Sequence, residues 1–164
     1  GLIMRVKEDY DGAIPSANSV AALALLKLHK ITENNQYREC AKSTLLLFAD
    51  RMEKAGSAVP YLLQALDFYL HEPYRVVVAG NPEDDTFQKA LHAVHNQHQP
   101  NRVLIGNHGP VEEFAKKQTP EENGSPLVYV CSGSACQIPT INPKEFQAYL
   151  KPNPPLSQDN TKQE

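Results

Sequence analysis

Asp11-Gly12-Ala13-Ile14-Pro15-Ser16-Ala17-Asn18-Ser19 runs directly into an apolar stretch at residues 20–31. Gly12 and Pro15 punctuate a loop. Ser16, Asn18 and Ser19 each carry a side-chain oxygen that can accept a hydrogen bond from a free N–H of a first helical turn, as an N-cap does. Residues 20–31 hold no Gly or Pro, and their only charged or imidazole side chains are Lys27, His29 and Lys30. A helix over about 18–31, apolar on most of its circumference, needs other helices around it. Two readings of the loop stay open. It is the start of a capped core helix, or a helix N-terminus presenting Asp11, Ser16, Asn18 and Ser19 to a ligand.

Outward from that helix, the polar run Thr32-Glu33-Asn34-Asn35 is a turn. A second helix is predicted over 36–54, with Tyr37, Ala41, Leu45, Phe48 and Met52 on one stripe and charged residues largely off it. Gly56 is placed to end it. Ser57 then caps a third helix through 70, with Pro60 in its first turn. The expected buried face of that helix is Val59, Leu62, Leu63, Leu66, Tyr69 and Leu70.

At Pro73 the period changes. Residues 74–79 (YRVVVA) form a short β-branched run, read as a buried strand closed by Gly80. An acidic helix start follows at 81–85, with Phe87, Ala90, Leu91 and Val94 as the apolar face, and then a second strand at 102–106 (RVLIG). Strand, helix, strand at this length predicts a βαβ unit with parallel strands. A short helix near 110–117, a third strand at 127–130 and a last helix at 143–150, capped by Asn142, complete the reading. The fold class is therefore α+α/β: three helices, then a small three-stranded, mainly parallel βαβ subdomain. The expected divisions are 1–72, 73–151 and a Pro-rich, polar, disordered tail at 152–164.

Cys131 and Cys136 are the most chemically suggestive pair. If Val130 and Gln137 belong to two strands of a hairpin, the sulfurs face each other, a spacing that permits a disulfide or half a metal site. It is not the Cys-x-x-Cys pattern in which a helix N-terminus lowers one thiol's pKa. The expectation is two reduced, structural cysteines with Cα atoms under about 7 Å apart; the alternative is a thiol redox or interaction module acting through Cys131 and Cys136. Cys40 reads as packing in the second helix. His92, His95 and His98 recur every three residues without a carboxylate or thiol at ligand spacing, which reads as a solvated face. Gly80 lacks the Gly-x-Gly-x-x-Gly pattern, and Glu83, Asp84 and Asp85 would repel a phosphate there. His108 follows the second strand at a carboxyl end, where α/β sheets bind ligands. No metal site and no cofactor are expected.

The chain has 164 residues, 41% hydrophobic, with a net charge of −3. No Lys/Arg-rich block provides the basic footprint that nucleic acid or an anionic membrane surface requires. No apolar run reaches the eighteen or so residues of a membrane span, and the N-terminus has no basic-then-apolar order of a secretory signal. Three cysteines do not make a disulfide scaffold and suit a reducing cytoplasm. Gly1 rather than Met at the first position is what an internal cut leaves, so a piece of a longer protein is expected.

The motif Asp-Gly-Ala-x-Pro-Ser-(Gly/Ala)-Asn-Ser-Val at 11–20 resembles a signature of the bacterial YyaL family, whose animal members are called spermatogenesis-associated protein 20. Asp50-Arg51-Met52, the blocks at 59–66 and 76–80, Pro100-Asn101-Arg102-Val103-Leu104-Ile105, and 129–139 with both Cys131 and Cys136 resemble later blocks of that family, in order, across about 2–151. The resemblance implies a C-terminal piece of a protein several times longer. Such a protein carries an N-terminal thioredoxin-like domain and a helical toroid similar to six-hairpin glycosidases and sugar epimerases. It implies no established reaction. On this reading the three helices continue an (α/α) toroid, and the partners are the missing thioredoxin-like and toroid regions. Self-association of the separated piece is expected. Asp11 is expected to point, solvent-open, toward the axis of a carbohydrate-type pocket, while Ser16 or Asn18 caps the helix.

Overall fold

The computed structural model of the chain describes residues 7–133 and 135–150. The expectation for 152–164 lies outside them.

α1 (Ala17–Thr32) begins on Ser16, whose backbone is extended and whose Oγ accepts from the Ser19 N–H at 3.2 Å. Asn18 lies inside the helix, and its Nδ2 donates to the Glu8 carbonyl at 2.8 Å. α1 ends at Glu33, in the left-handed region at φ 58°, whose N–H donates to the His29 carbonyl. α2 (Asn35–Leu47) is capped by Asn34, whose side chain accepts from the Gln36 N–H.

The expected continuous second helix is broken. It stops at Phe48 (φ −104°, ψ 13°) and resumes as α3 (Ala49–Ala55). The hydroxyls of Ser43 and Thr44 donate back to the Glu39 and Cys40 carbonyls, at 2.9 and 3.1 Å. Such back-bonding competes with the backbone ladder and bends helices. Gly56 does not use glycine's freedom, since its φ is −56°, and it opens a 3-10 turn over Gly56–Ala58. α4 (Pro60–Leu70) follows with Pro60 at its first position. Its cap is not Ser57, and no side chain at the adjoining N-cap position serves it.

Ala22 and Leu26 of α1, Ala41 and Leu45 of α2, Phe48, and Leu62, Ala65 and Phe68 of α4 close one apolar core. The buried face of α4 is thus rotated from the expected one, because Leu63 and Leu70 are exposed while Ala65 and Phe68 point inward.

β1 (Tyr74–Ala79), α5 (Asp85–His95) and β2 (Arg102–Gly106) form the expected unit, with β1 and β2 parallel and Tyr74 opposite Arg102. α6 (Glu113–Lys116) precedes β3 (Leu127–Ser132), and β3 runs antiparallel to β1 from the Ala79–Leu127 pair to Tyr74–Ser132. β4 (Ala135–Cys136) pairs back on β3. The sheet is therefore mixed, four-stranded, ordered β2-β1-β3-β4, rather than three-stranded and mainly parallel. The cause lies in the β2–β3 link. It carries one four-residue helix, α6, and delivers the chain to the end of the sheet where β2 stops, so β3 starts opposite Ala79 and runs back along β1. α7 (Pro143–Tyr149) is the last element among the described residues, with the Asn142 side chain accepting from the Lys144 N–H at 3.1 Å.

One sheet face (Val76, Val78, Val128, Val130) packs on Phe87, Ala90 and Val94 of α5 and on Leu150. The other (Val77, Ile105, Tyr129) packs on Phe114 and Ala115 of α6 and on Ile31 of α1. Val103 of β2 joins the helical core. Gly80 is where it is for packing, since at φ 152° a Cβ would meet Pro126 and Phe87 at 3.2 and 3.3 Å.

Candidate functional site

Asp11 is buried, at 7% exposure, and every atom of its carboxylate that carries charge is used by the backbone. Oδ1 accepts from the Ser16 N–H at 2.8 Å. Oδ2 accepts from the N–H groups of Tyr61 and Leu62 at 2.9 and 3.2 Å, which are free donors in the first turn of α4. Its own N–H donates to the Ala58 carbonyl at 2.8 Å. Burial pushes the carboxyl pKa up, but the donors from Ser16, Ser19, Leu62 and Tyr61 outweigh it and hold the pKa below the ordinary value. Asp11 therefore caps α4 from fifty residues away and ties that helix to the start of α1. The expectation of a solvent-open Asp11 is overturned. The three N–H groups satisfy the carboxylate in place of solvent, so it acts as a clamp between the start of α1 and the first turn of α4. Ser16 and Ser19 belong to the same cluster, their hydroxyls 2.9 Å apart, and Asn18 points away to Glu8.

A different set of residues lines a polar cleft of about 400 Å3 between the C-terminal end of α1, the start of β1 and the β3–β4 turn. Lys30 reaches Glu72 at 2.9 Å across its rim. Arg75, on β1, directs Nη1 at both carboxylate oxygens of Glu112, at 2.8 and 2.9 Å, and its guanidinium lies 4.4 Å from the centre of the Phe114 ring. The Glu112 side chain is fully buried, and its N–H donates to the Ile31 carbonyl at 2.8 Å. Burial and a hydrogen bond with the like-charged Glu33 raise the Glu112 pKa against the pull of Arg75. Glu33 is the one non-glycine residue with positive φ among the described residues, and it lines this cleft. Arg75 Nε and Glu112 Oε1 are buried without a hydrogen-bond partner of good geometry. A buried carboxyl held between a guanidinium, which keeps its charge, and a second carboxyl is a perturbed acid of the cleft. None of these residues was singled out from the sequence. A non-glycine left-handed residue leaves no compositional mark, and Arg75 and Glu112 are 37 residues apart.

Cys131 and Cys136 stand opposite each other in the β3–β4 pairing, Cα atoms 4.0 Å apart, and are joined by a disulfide. The hairpin reading holds; the expectation of free, reduced thiols does not describe this structure. Gln137 N–H donates to the Val130 carbonyl at 2.9 Å, which makes the cysteines a non-hydrogen-bonded pair, the position where cross-strand side chains come closest. Cys40 is exposed rather than packed. His92, His95, His98 and His108 are also exposed.

Over 158 residues the chain is 32% identical to human spermatogenesis-associated protein 20, a match covering 93% of this chain and 20% of that one. The chain is homologous to part of spermatogenesis-associated protein 20. The rat protein of that name is 32% identical over 155 residues, covering 91% of this chain, and an uncharacterized Caenorhabditis elegans protein is 28% identical over 149 residues, covering 88%. The chain spans about one fifth of the length of these curated relatives, consistent with a C-terminal part of the spermatogenesis-associated protein 20 family. Matches of this extent take in the helices and the sheet together. No family model matches the chain, and no solved structure matches it. No described helix is long and apolar enough to cross a membrane.

Proposed function

We propose that this chain is a docking segment of a longer protein of the spermatogenesis-associated protein 20 family, completing its helical part in the manner of an (α/α) toroid. The supporting observation is an open apolar groove of about 390 Å3 between α2, α3 and α4, floored by Leu45, Ala49, Met52 and Leu66 and edged by Leu46 and Leu63. Leu46 is 66% exposed and Leu63 37%, side chains that a helix laid in the groove would remove from water. Lys42 and Glu53 flank the groove with opposite charges. The occupant is a helix from the other four fifths of the longer protein, which the relatives' length supplies. The reading assigns the segment a structural role and no reaction.

Co-expression of this chain with the preceding portion of its longer protein tests the reading. The two pieces are expected to co-elute. Leu46→Glu with Leu63→Glu is expected to separate them while leaving the circular dichroism of the chain unchanged. A homodimer of the chain that persists in the presence of the other portion, or co-elution insensitive to both substitutions, overturns it.

A further inference from the structure

The Cys131–Cys136 bond lies at the outer edge of the sheet, between β3 and a strand of two residues. β4 is two residues long, both are exposed, and the turn before it passes through Gly133 at φ 57°. Beyond the pairs Cys131–Cys136 and Ser132–Ala135, the return is tied to β3 by the Gln137-to-Val130 hydrogen bond and by the reciprocal hydrogen bonds of Val128 and Thr140, at 3.0 and 3.1 Å. The disulfide is the covalent tie that closes the turn between 131 and 136, outside those backbone bonds. The two sulfurs are in unlike surroundings, since Cys136 is exposed and Cys131 is 1% exposed.

The registers place a second group beside the bond. Arg75 pairs with Cys131 across β1 and β3, and with Val103 across β1 and β2. Directly paired residues put their side chains on the same face, so Val103, Arg75, Cys131 and Cys136 form one row across all four strands. Arg75 Nε, a buried donor without an acceptor, belongs to that row. The guanidinium itself pairs with Glu112 and lies over Phe114 on the face that carries Cys131, and a cation on that face favours the sulfur as a thiolate.

We infer that Cys131–Cys136 is a thiol–disulfide exchange site for a dithiol reductant, with Cys136 as the attacked sulfur and Cys131 as the leaving one. A thiolate of the dithiol attacks Cys136 Sγ, and the Cys131–Cys136 bond breaks. Its electron pair stays on Cys131 Sγ, a thiolate on the sheet face that also carries Arg75. The second thiol of the reductant, as thiolate, then attacks the reductant's own sulfur in the mixed disulfide and displaces Cys136 as a thiolate. Two electrons pass from the dithiol, which leaves as a disulfide, and the two protein thiolates take up protons according to pH. A lower leaving-group pKa speeds the first displacement, which gives Arg75 a positioning role.

The exchange has a structural consequence. Gly133, in the turn that the bond closes, forms part of the wall of the polar cleft, where a Cβ on it would lie 3.8 Å from Glu72. Breaking the bond frees that wall and widens the cleft over Lys30, Glu72 and Arg75.

The test uses the native chain, dithiothreitol as the dithiol, alkylation and mass spectrometry. Without dithiol, Cys40 alone is expected to alkylate; with it, Cys131 and Cys136 also alkylate without denaturant. Hydrogen exchange at Gln137 is expected to rise at least tenfold on reduction, with β1 and β2 unchanged, and C131S/C136S is expected to reproduce the reduced pattern. Glu112→Gln keeps the guanidinium and removes its counter-charge, and is expected to speed reduction several-fold. Alkylation of all three cysteines before reduction, or of Cys131 and Cys136 only after unfolding, overturns the exchange site. Unchanged exchange at Gln137 overturns the release of the turn, and an unchanged rate in Glu112→Gln overturns the role of Arg75.

Discussion

Asp11 turns a polar residue in a loop into the joint between two helices. Its removal leaves the Tyr61 and Leu62 N–H groups without an acceptor in the first turn of α4, and Ser16 without its partner. Hydrogen bonds to charged groups carry about 1.5–3 kcal/mol each, and they share one carboxylate here, so Asp11→Ala is expected to cost about 3 kcal/mol. Urea melts of the purified chain check this, and a change under about 0.5 kcal/mol would remove the clamp. Ser16→Ala is expected to cost less, about 1 kcal/mol, because it removes one cap. The Asp11 pKa is held below its ordinary 3.8 in the folded chain. Its contribution to stability is therefore complete above that value and lost as pH falls through the lower, folded value. Asp11→Asn is expected to flatten the acid limb of the stability–pH curve.

At the scale of elements, local pattern decided what was legible. β1, β2 and α5 follow from the β-branched runs and a clean apolar stripe, since Phe87, Ala90 and Val94 recur at helical spacing and all three are buried. The direction of β3 was not legible, because a strand's residues read the same either way and only the link decides. The break at Phe48 was hidden for a related reason. Ala41, Leu45 and Phe48 keep the stripe of an unbroken helix, while the bend comes from hydroxyls that the stripe does not count. On α4 the apolar residues surround the helix, so the sequence could not orient it. The structure does, and two substitutions one residue apart check it. Leu62→Ala is expected to cost about 2–5 kcal/mol, and Leu63→Ala less than about 1 kcal/mol in the isolated chain. Equal losses in thermal melts would place both in the core.

Across the whole molecule, the helices and the sheet meet where the sequence showed no site. Lys30 bonds Glu72 from 42 residues away, and the Glu112 backbone bonds Ile31 while its side chain holds Arg75. Spacings of this kind carry no sequence pattern, which is why the loop at 11–19 drew attention and the cleft did not. Glu112 has no exposed side-chain surface, so the fold depends on what neutralises it. Arg75→Met removes the cation and leaves a buried carboxylate, a change expected to cost about 3–5 kcal/mol at pH 7. The Glu112 pKa is already raised above its ordinary 4.5 by burial and Glu33. A carboxyl raised in the folded state stabilises the fold when protonated, fully so below its unfolded value, and loses that contribution as pH rises through the folded value. Without Arg75 the folded value rises further. The penalty in Arg75→Met is therefore expected to shrink as pH falls toward 4.5 and to nearly vanish below it. Glu112→Gln in the same background is expected to restore much of the stability at pH 7. Denaturation of the native chain and both variants at pH 7 and pH 4 measures this. A penalty in Arg75→Met that is the same at both values would mean that Arg75 acts through its packing on Phe114, not through charge.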